Sequence, residues 1–153
     1  MRLIPGAIVL VWLAVMAFFA FLVAPAAFAS LDRDAAGRFV SVMFPRYYAV
    51  GTALGLVALC AVAARWLGAG RPVEGWVGLG LVALMLVLTL YSWLVVLPAA
   101  HVAREAVRQA AAAGALSTEA LAFTRLHRLS GFLNGAVMAA GVLFLIVEWA
   151  RSR

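Results

Sequence analysis

The chain has 153 residues, of which 67% are hydrophobic and 12% charged, whereas soluble domains average about 45–50% apolar and about 25% charged. A water-soluble fold of this size could not hide so much apolar surface, so the solvent must be lipid. The formal charge of +6 is carried wholly by arginine, without lysine, and in a membrane protein it points to anionic headgroups before nucleic acid; no aromatic–basic RNA pattern and no zinc-finger spacing is present, which excludes nucleic acid as a partner.

Four uncharged runs follow one another, over residues 3–31, 47–64, 75–103 and 129–147. A span needs ~20 apolar residues to cross ~30 Å of hydrocarbon and must close its own backbone hydrogen bonds as a helix. The expected fold is therefore all-α, a single four-transmembrane-helix bundle with helices over about 3–30, 38–67, 74–112 and 118–150.

The first run follows Arg2 and ends on AFA before Ser30, a pattern shared with secretory signal peptides. Its uncharged length exceeds a signal's apolar region, so it reads as an uncleaved helix. Pro25 near its end suggests termination or a kink. The join SLDRDAAGRF is short and polar, and FPRYY at 44–48 then brings Arg46, Tyr47 and Tyr48 to the start of the second run.

Within the second run, Gly51 and Gly55 form a GxxxG, better suited to packing this bundle than to a dimer seam, and Cys60 reads as a small buried hydrophobe. Gly68, Gly70 and Pro72 break the chain before the third run. That run holds Pro98 and His101, with Glu105 one turn beyond, spaced for an ion pair or hydrogen bond with the histidine. In the long connection HVAREAVRQAAAAGALSTEALAFTRLHR, Gly114 suits a helix C-cap and Ser117 an N-cap with Glu119 in the first turn. The third and fourth helices thus extend beyond the bilayer into a helical hairpin, the alternative being an amphipathic segment lying on the headgroups.

The fourth run opens on LHRLSGFLN, where His127, Ser130 and Asn134 are spaced to share one helical stripe. Gly131, Gly135, Ala139 and Ala140 give the same helix a small face. His101 and His127 stand equally far from Gly114, so a hairpin sets them at similar depth. With FPRYY entering from that side, one end of the bundle becomes a polar, arginine-rich mouth and the other stays plainer. The candidate ligand-binding residues are His127, Ser130, Asn134, Tyr47, Tyr48, Arg46, His101 and Glu105; interhelical hydrogen bonding is the competing account of the stripe. Counting arginines on each side places this mouth in the cytoplasm, although Arg2 argues the other way.

FFAFLVAPAAF, AGRFVSVMFPRYY and LHRLSGFLN together resemble the transmembrane protein 205-like group, in bacteria the domain of unknown function 4149. Phe44-Pro45-Arg46-Tyr47-Tyr48, His127, Ser130, Asn134, Pro25, Phe28 and Pro98 carry the likeness, which spans nearly the whole chain. The resemblance implies a four-span membrane fold and no catalytic mechanism; His101 lies outside the motif. Arginine with abundant alanine and glycine looks like a GC-rich bacterial genome, so a bacterial cytoplasmic (inner) membrane is expected.

Three functions remain in competition. One is binding, or helping to transport, a small molecule or metal at the mouth, which four short helices would do as a homo-oligomer or with a partner membrane subunit. A second is a haem or quinone redox protein, with His101 and His127 as iron ligands and arginines on the propionates. The third is a non-catalytic structural or assembly subunit. No GxSxG or HExxH motif points to an enzyme.

Overall fold

The computed structural model of the protein describes residues 4–68, 75–112 and 118–152. They form four long helices, and no strand occurs among the described residues: α1 (Ile4–Ser30), α2 (Arg33–Gly68), α3 (residues 75–112) and α4 (Thr118–Ser152). Each is long and apolar enough to cross a membrane. At 1.5 Å per residue the 36 residues of α2 reach about 54 Å, well beyond ~30 Å of hydrocarbon.

Each helix packs on its neighbours in sequence, and α1 closes the ring against α4. Consecutive helices therefore run antiparallel, while α2 and α4 run parallel and face each other across the centre. Gly114 and Ser117, the expected caps of the α3–α4 turn, and Gly70 and Pro72 of the earlier join lie outside the described residues. The packing of the last part of α3 along α4 agrees with a helical hairpin.

Helix α2 starts at Arg33, ahead of the expected residue 38, because Asp32 caps it. The Ala35 N–H donates to Asp32 Oδ1 at 2.8 Å and the Ala36 N–H to the Asp32 carbonyl at 2.9 Å. The polar join thus shrinks to Leu31 and Asp32, with Leu31 extended at φ −120° and ψ 156°.

Pro25 and Pro98 do not end their helices. Each follows a π-turn, Phe19–Val23 in α1 and Ser92–Val96 in α3, closed by the Ala24 N–H donating to the Phe19 carbonyl and the Leu97 N–H to the Ser92 carbonyl. A proline ring collides with the carbonyl four residues back and lacks the N–H that would bond it. The wider turn opens the ladder at that place, so both helices run through.

The main core is an apolar cluster drawn from all four helices: Val9, Trp12, Leu13 and Met16 of α1 at helical spacing, Ala58 and Val62 of α2, Val82, Met85 and Leu86 of α3, and Val137, Ala140 and Phe144 of α4; a smaller one joins Ala27 of α1 to Ala36 and Val40 of α2. The GxxxG of α2 is the slot for the Trp12 indole. A Cβ on Gly55 would lie 2.8 Å from Trp12 Cη2 and 2.9 Å from Leu86 Cδ1, and one on Gly51 would lie 3.1 Å from Trp12 Nε1. The motif packs the bundle internally, as its spacing suggested.

The small face of α4 divides. Ala140 is buried, but Ala139, Gly131 and Gly135 are exposed, the two glycines with nothing within 4 Å of a Cβ. Cys60 is also exposed, contrary to expectation, because the inward stripe of α2 runs through Gly51, Gly55, Ala58 and Val62 and leaves Cys60 on the far side. The outer surface is strongly apolar, with Phe21 72% and Phe132 73% exposed. Water would make such a surface costly, whereas acyl chains are its natural solvent.

Candidate functional site

Two adjacent tyrosines of α2 reach diagonally across the bundle to α4. The Tyr47 hydroxyl donates to Asn134 Oδ1 at 3.0 Å, and the Tyr48 hydroxyl lies 3.5 Å from Ser130 Oγ, at the limit of a hydrogen bond. Ser130 and Asn134 are one helical turn apart, so they meet two neighbouring rings without distortion. Phe19, the first residue of the α1 π-turn, completes the layer: its ring centroid lies 5.4 Å from that of Phe44 and 4.9 Å from that of Tyr47, while Phe44 stacks on Tyr48 at 6.0 Å. The π-turn thus carries an aromatic side chain of α1 into the layer.

Of the candidate residues, this arrangement unites Tyr47, Tyr48, Ser130 and Asn134. The other four lie on the surface. His127 is exposed and stacks on Phe123 of its own helix, ring centroids 6.3 Å apart. His101 is exposed, with no hydrogen bond or ion pair among the described residues. Glu105 accepts from Arg108 at 2.9 Å and from Gln109 at 3.4 Å, so its carboxylate is engaged along its own helix and not with His101. Arg46 is exposed and bends back one turn to donate to the Val42 carbonyl at 2.9 Å, snorkelling toward the nearer headgroups.

Two further charged clusters tie the bundle together. Arg104 of α3 donates to the Gly37 carbonyl, to Ser41 Oγ at 2.6 Å and to the Asp34 carbonyl at 3.4 Å, all on the first turns of α2. The guanidinium fits there because residue 37 has no side chain: a Cβ on Gly37 would collide with it. Only the early start of α2 brings these acceptors within its reach.

At the opposite end, Arg65 of α2 forms a two-pronged ion pair with Glu148 of α4, one prong at 2.6 Å, and Arg151 lies 3.6 Å from the same carboxylate. That end is not the plain one expected. The sequence did hold a signal, because Glu148 is an acidic residue closing an apolar run at the end where Arg65 lies. A half-buried carboxylate in such a place needs a cation. The two diagonal struts, Tyr47–Asn134 and Arg65–Glu148, are separated by about 27 Å along α2.

Chemically, the layer offers neutral hydroxyl and amide groups and no nucleophile paired with a base. Among the described residues no three of His, Cys, Asp and Glu come together as metal ligands. The cavity beside the layer, lined by Trp12, Met16, Tyr47, Gly51, Thr89 and Asn134 among others, has about 10 Å³, room for one water. No curated protein and no solved structure matches the chain. A family model described as Domain of unknown function (DUF4149) matches residues 8–109, from α1 into α3. That segment is two thirds of the chain and contains FPRYY and both π-turns, so the protein belongs to the DUF4149 family.

Proposed function

We propose that this protein is a non-enzymatic membrane subunit whose arginine-rich end engages anionic headgroups and a second copy or partner membrane protein. One observation carries the reading: Tyr47–Asn134 and Tyr48–Ser130 close the inner layer around a cavity of only about 10 Å³, while Arg38, Arg46, Arg108, Arg125, Arg128, His101 and His127 are exposed. Interaction chemistry therefore lies on the outside of the bundle, where guanidinium groups meet phosphate readily. The excess of arginine at this end favours a cytoplasmic orientation in a bacterial inner membrane. The likeness to the transmembrane protein 205-like group belongs to the same proposal. Small-molecule or metal binding at this end, and haem ligation likewise, would have to use the outward-facing His101, His127 and Arg46, since the cavity of the inner layer has only about 10 Å³.

The test is native mass spectrometry of the protein released from nanodiscs of phosphatidylcholine with and without phosphatidylglycerol. Retained phosphatidylglycerol, lost on combined Arg46→Gln, Arg125→Gln and Arg128→Gln but kept in Asn134→Leu, supports the reading. A Soret band, or a stoichiometric small molecule that disappears with Asn134→Leu, overturns it.

A further inference from the structure

Trp12 is 1% exposed, and its indole N–H has no hydrogen-bond partner among the described residues. The fully buried side-chain atom without a partner among the described residues is Thr52 Oγ1, whereas the Trp12 side chain keeps a trace of surface through which an acceptor can reach its N–H. The Nε1 atom points toward Gly51, whose missing side chain leaves open the cavity that Trp12, Tyr47, Thr89 and Asn134 also line. With Tyr48, which also lines it, polar side chains of all four helices border this space.

The hydrogen-bonding capacities around this space are unequal in kind. Tyr47 has given its proton to Asn134 Oδ1, and Thr89 has given its own to the Met85 carbonyl at 2.8 Å, so both oxygens retain only lone pairs to offer. Trp12 Nε1 and the Asn134 amide nitrogen have only N–H groups to offer. The Tyr48 hydroxyl, able to donate or accept, lines the same space, so donors and acceptors are both present there. An anion would want donors alone and a cation acceptors alone; an apolar molecule would leave the polar groups unmatched. A water accepts two hydrogen bonds and donates two, and about 10 Å³ is the space of a single water.

We propose that this cavity is a binding site for one water molecule, which joins α1, α2, α3 and α4 at a single point in the apolar core by accepting from Trp12 and Asn134 and donating to Tyr47 and Thr89. The water replaces direct contacts that the side chains are too short to make. It explains the placing of an indole N–H in a membrane interior, where an unmatched donor is most costly. It also gives Gly51 a second role: a Cβ there, 3.1 Å from Nε1 and 3.5 Å from Thr89 Cγ2, would narrow the water's space.

Water-edited solid-state NMR of the protein in lipid bilayers tests this. Trp12→Phe identifies the Trp12 indole resonance among the five tryptophans. The expected result is a cross-peak from that indole N–H to a long-lived water. It should fall severalfold in Thr89→Val, which keeps the volume but removes one acceptor, and vanish in Gly51→Ala. An indole N–H without a water cross-peak in the wild-type protein overturns the proposal. So does a cross-peak of unchanged intensity in Thr89→Val. If Gly51→Ala does not fold, the wild-type and Thr89→Val measurements decide the matter.

Discussion

Gly55→Ala should destabilise the bundle although alanine is the better helix former. Two effects oppose each other. Replacing an interior glycine by alanine favours the helix by about 0.8–1 kcal/mol. At residue 55 the new methyl would also stand 2.8 Å from Trp12 Cη2 and 2.9 Å from Leu86 Cδ1, both nearer than carbon atoms approach without repulsion. The indole cannot slide away easily, because Gly51 holds its other end and the ring is 1% exposed. Overpacking of this kind costs about 1–3 kcal/mol. Gly135→Ala supplies the reference, since nothing lies within 4 Å of its Cβ. The helix-propensity gain is common to both substitutions and cancels, so Gly55→Ala should be less stable than Gly135→Ala by about 1–3 kcal/mol. Reversible unfolding by steric trapping in bicelles reads this difference directly. Equal stabilities, within about 0.5 kcal/mol, would refute the packing of Trp12 in the GxxxG slot.

Tyr47→Phe should cost about 0.6 kcal/mol and at most about 1.7 kcal/mol, the range of interhelical hydrogen bonds in membranes. A double-mutant cycle with Asn134→Ala should show coupling, and strictly additive effects would mean the bond contributes nothing. Glu148→Gln leaves Arg65 and Arg151 without their shared carboxylate. Because the Arg65 side chain is 28% exposed, the loss should fall below the ~3–5 kcal/mol of a fully buried pair, and the double variant Arg65→Leu with Glu148→Leu should recover most of it in the same unfolding assay. Gly37→Ala should push the Arg104 guanidinium off its acceptors. Faster amide hydrogen exchange over residues 33–41, without a global change, is the expected readout, and unchanged exchange would remove Arg104 as the clasp between α3 and α2.

The four spans were legible because lipid demands long uncharged runs, and a charge interrupts such a run wherever it stands. The GxxxG of α2 was legible for a related reason: two glycines one turn apart make a groove, and an aromatic residue on a neighbouring helix is a natural occupant. Half of the candidate site was readable from spacing alone, since Ser130 and Asn134 lie on one stripe and Tyr47 and Tyr48 enter from the same end. His127 shares that sequence spacing yet is exposed, its ring stacked on Phe123 of its own helix. Spacing specifies a face but not where a neighbour covers it. The start of α2 was hidden in a charged segment that reads as a loop until Asp32 is recognised as its cap. The π-turns were hidden entirely, since proline marks a difficulty in a helix without saying how the chain resolves it. The family match stops at residue 109, so it covers Tyr47 but not its partner Asn134.

A π-turn behaves as a one-residue insertion absorbed by the helix, and everything after it is rotated by about 100° relative to an uninterrupted α-helix. In α3 the turn at Ser92–Val96 therefore sets the azimuth of Arg104, three helical turns further on. Removing a single residue from that turn would tighten the winding and set the Pro98 ring against the carbonyl four residues back, while Thr89 and Met85 lie on the near side. The same deletion would swing Arg104 a quarter-turn off Gly37 and unfasten the last part of α3 from α2. The irregularity at mid-helix is thus an aiming device for a guanidinium some distance away.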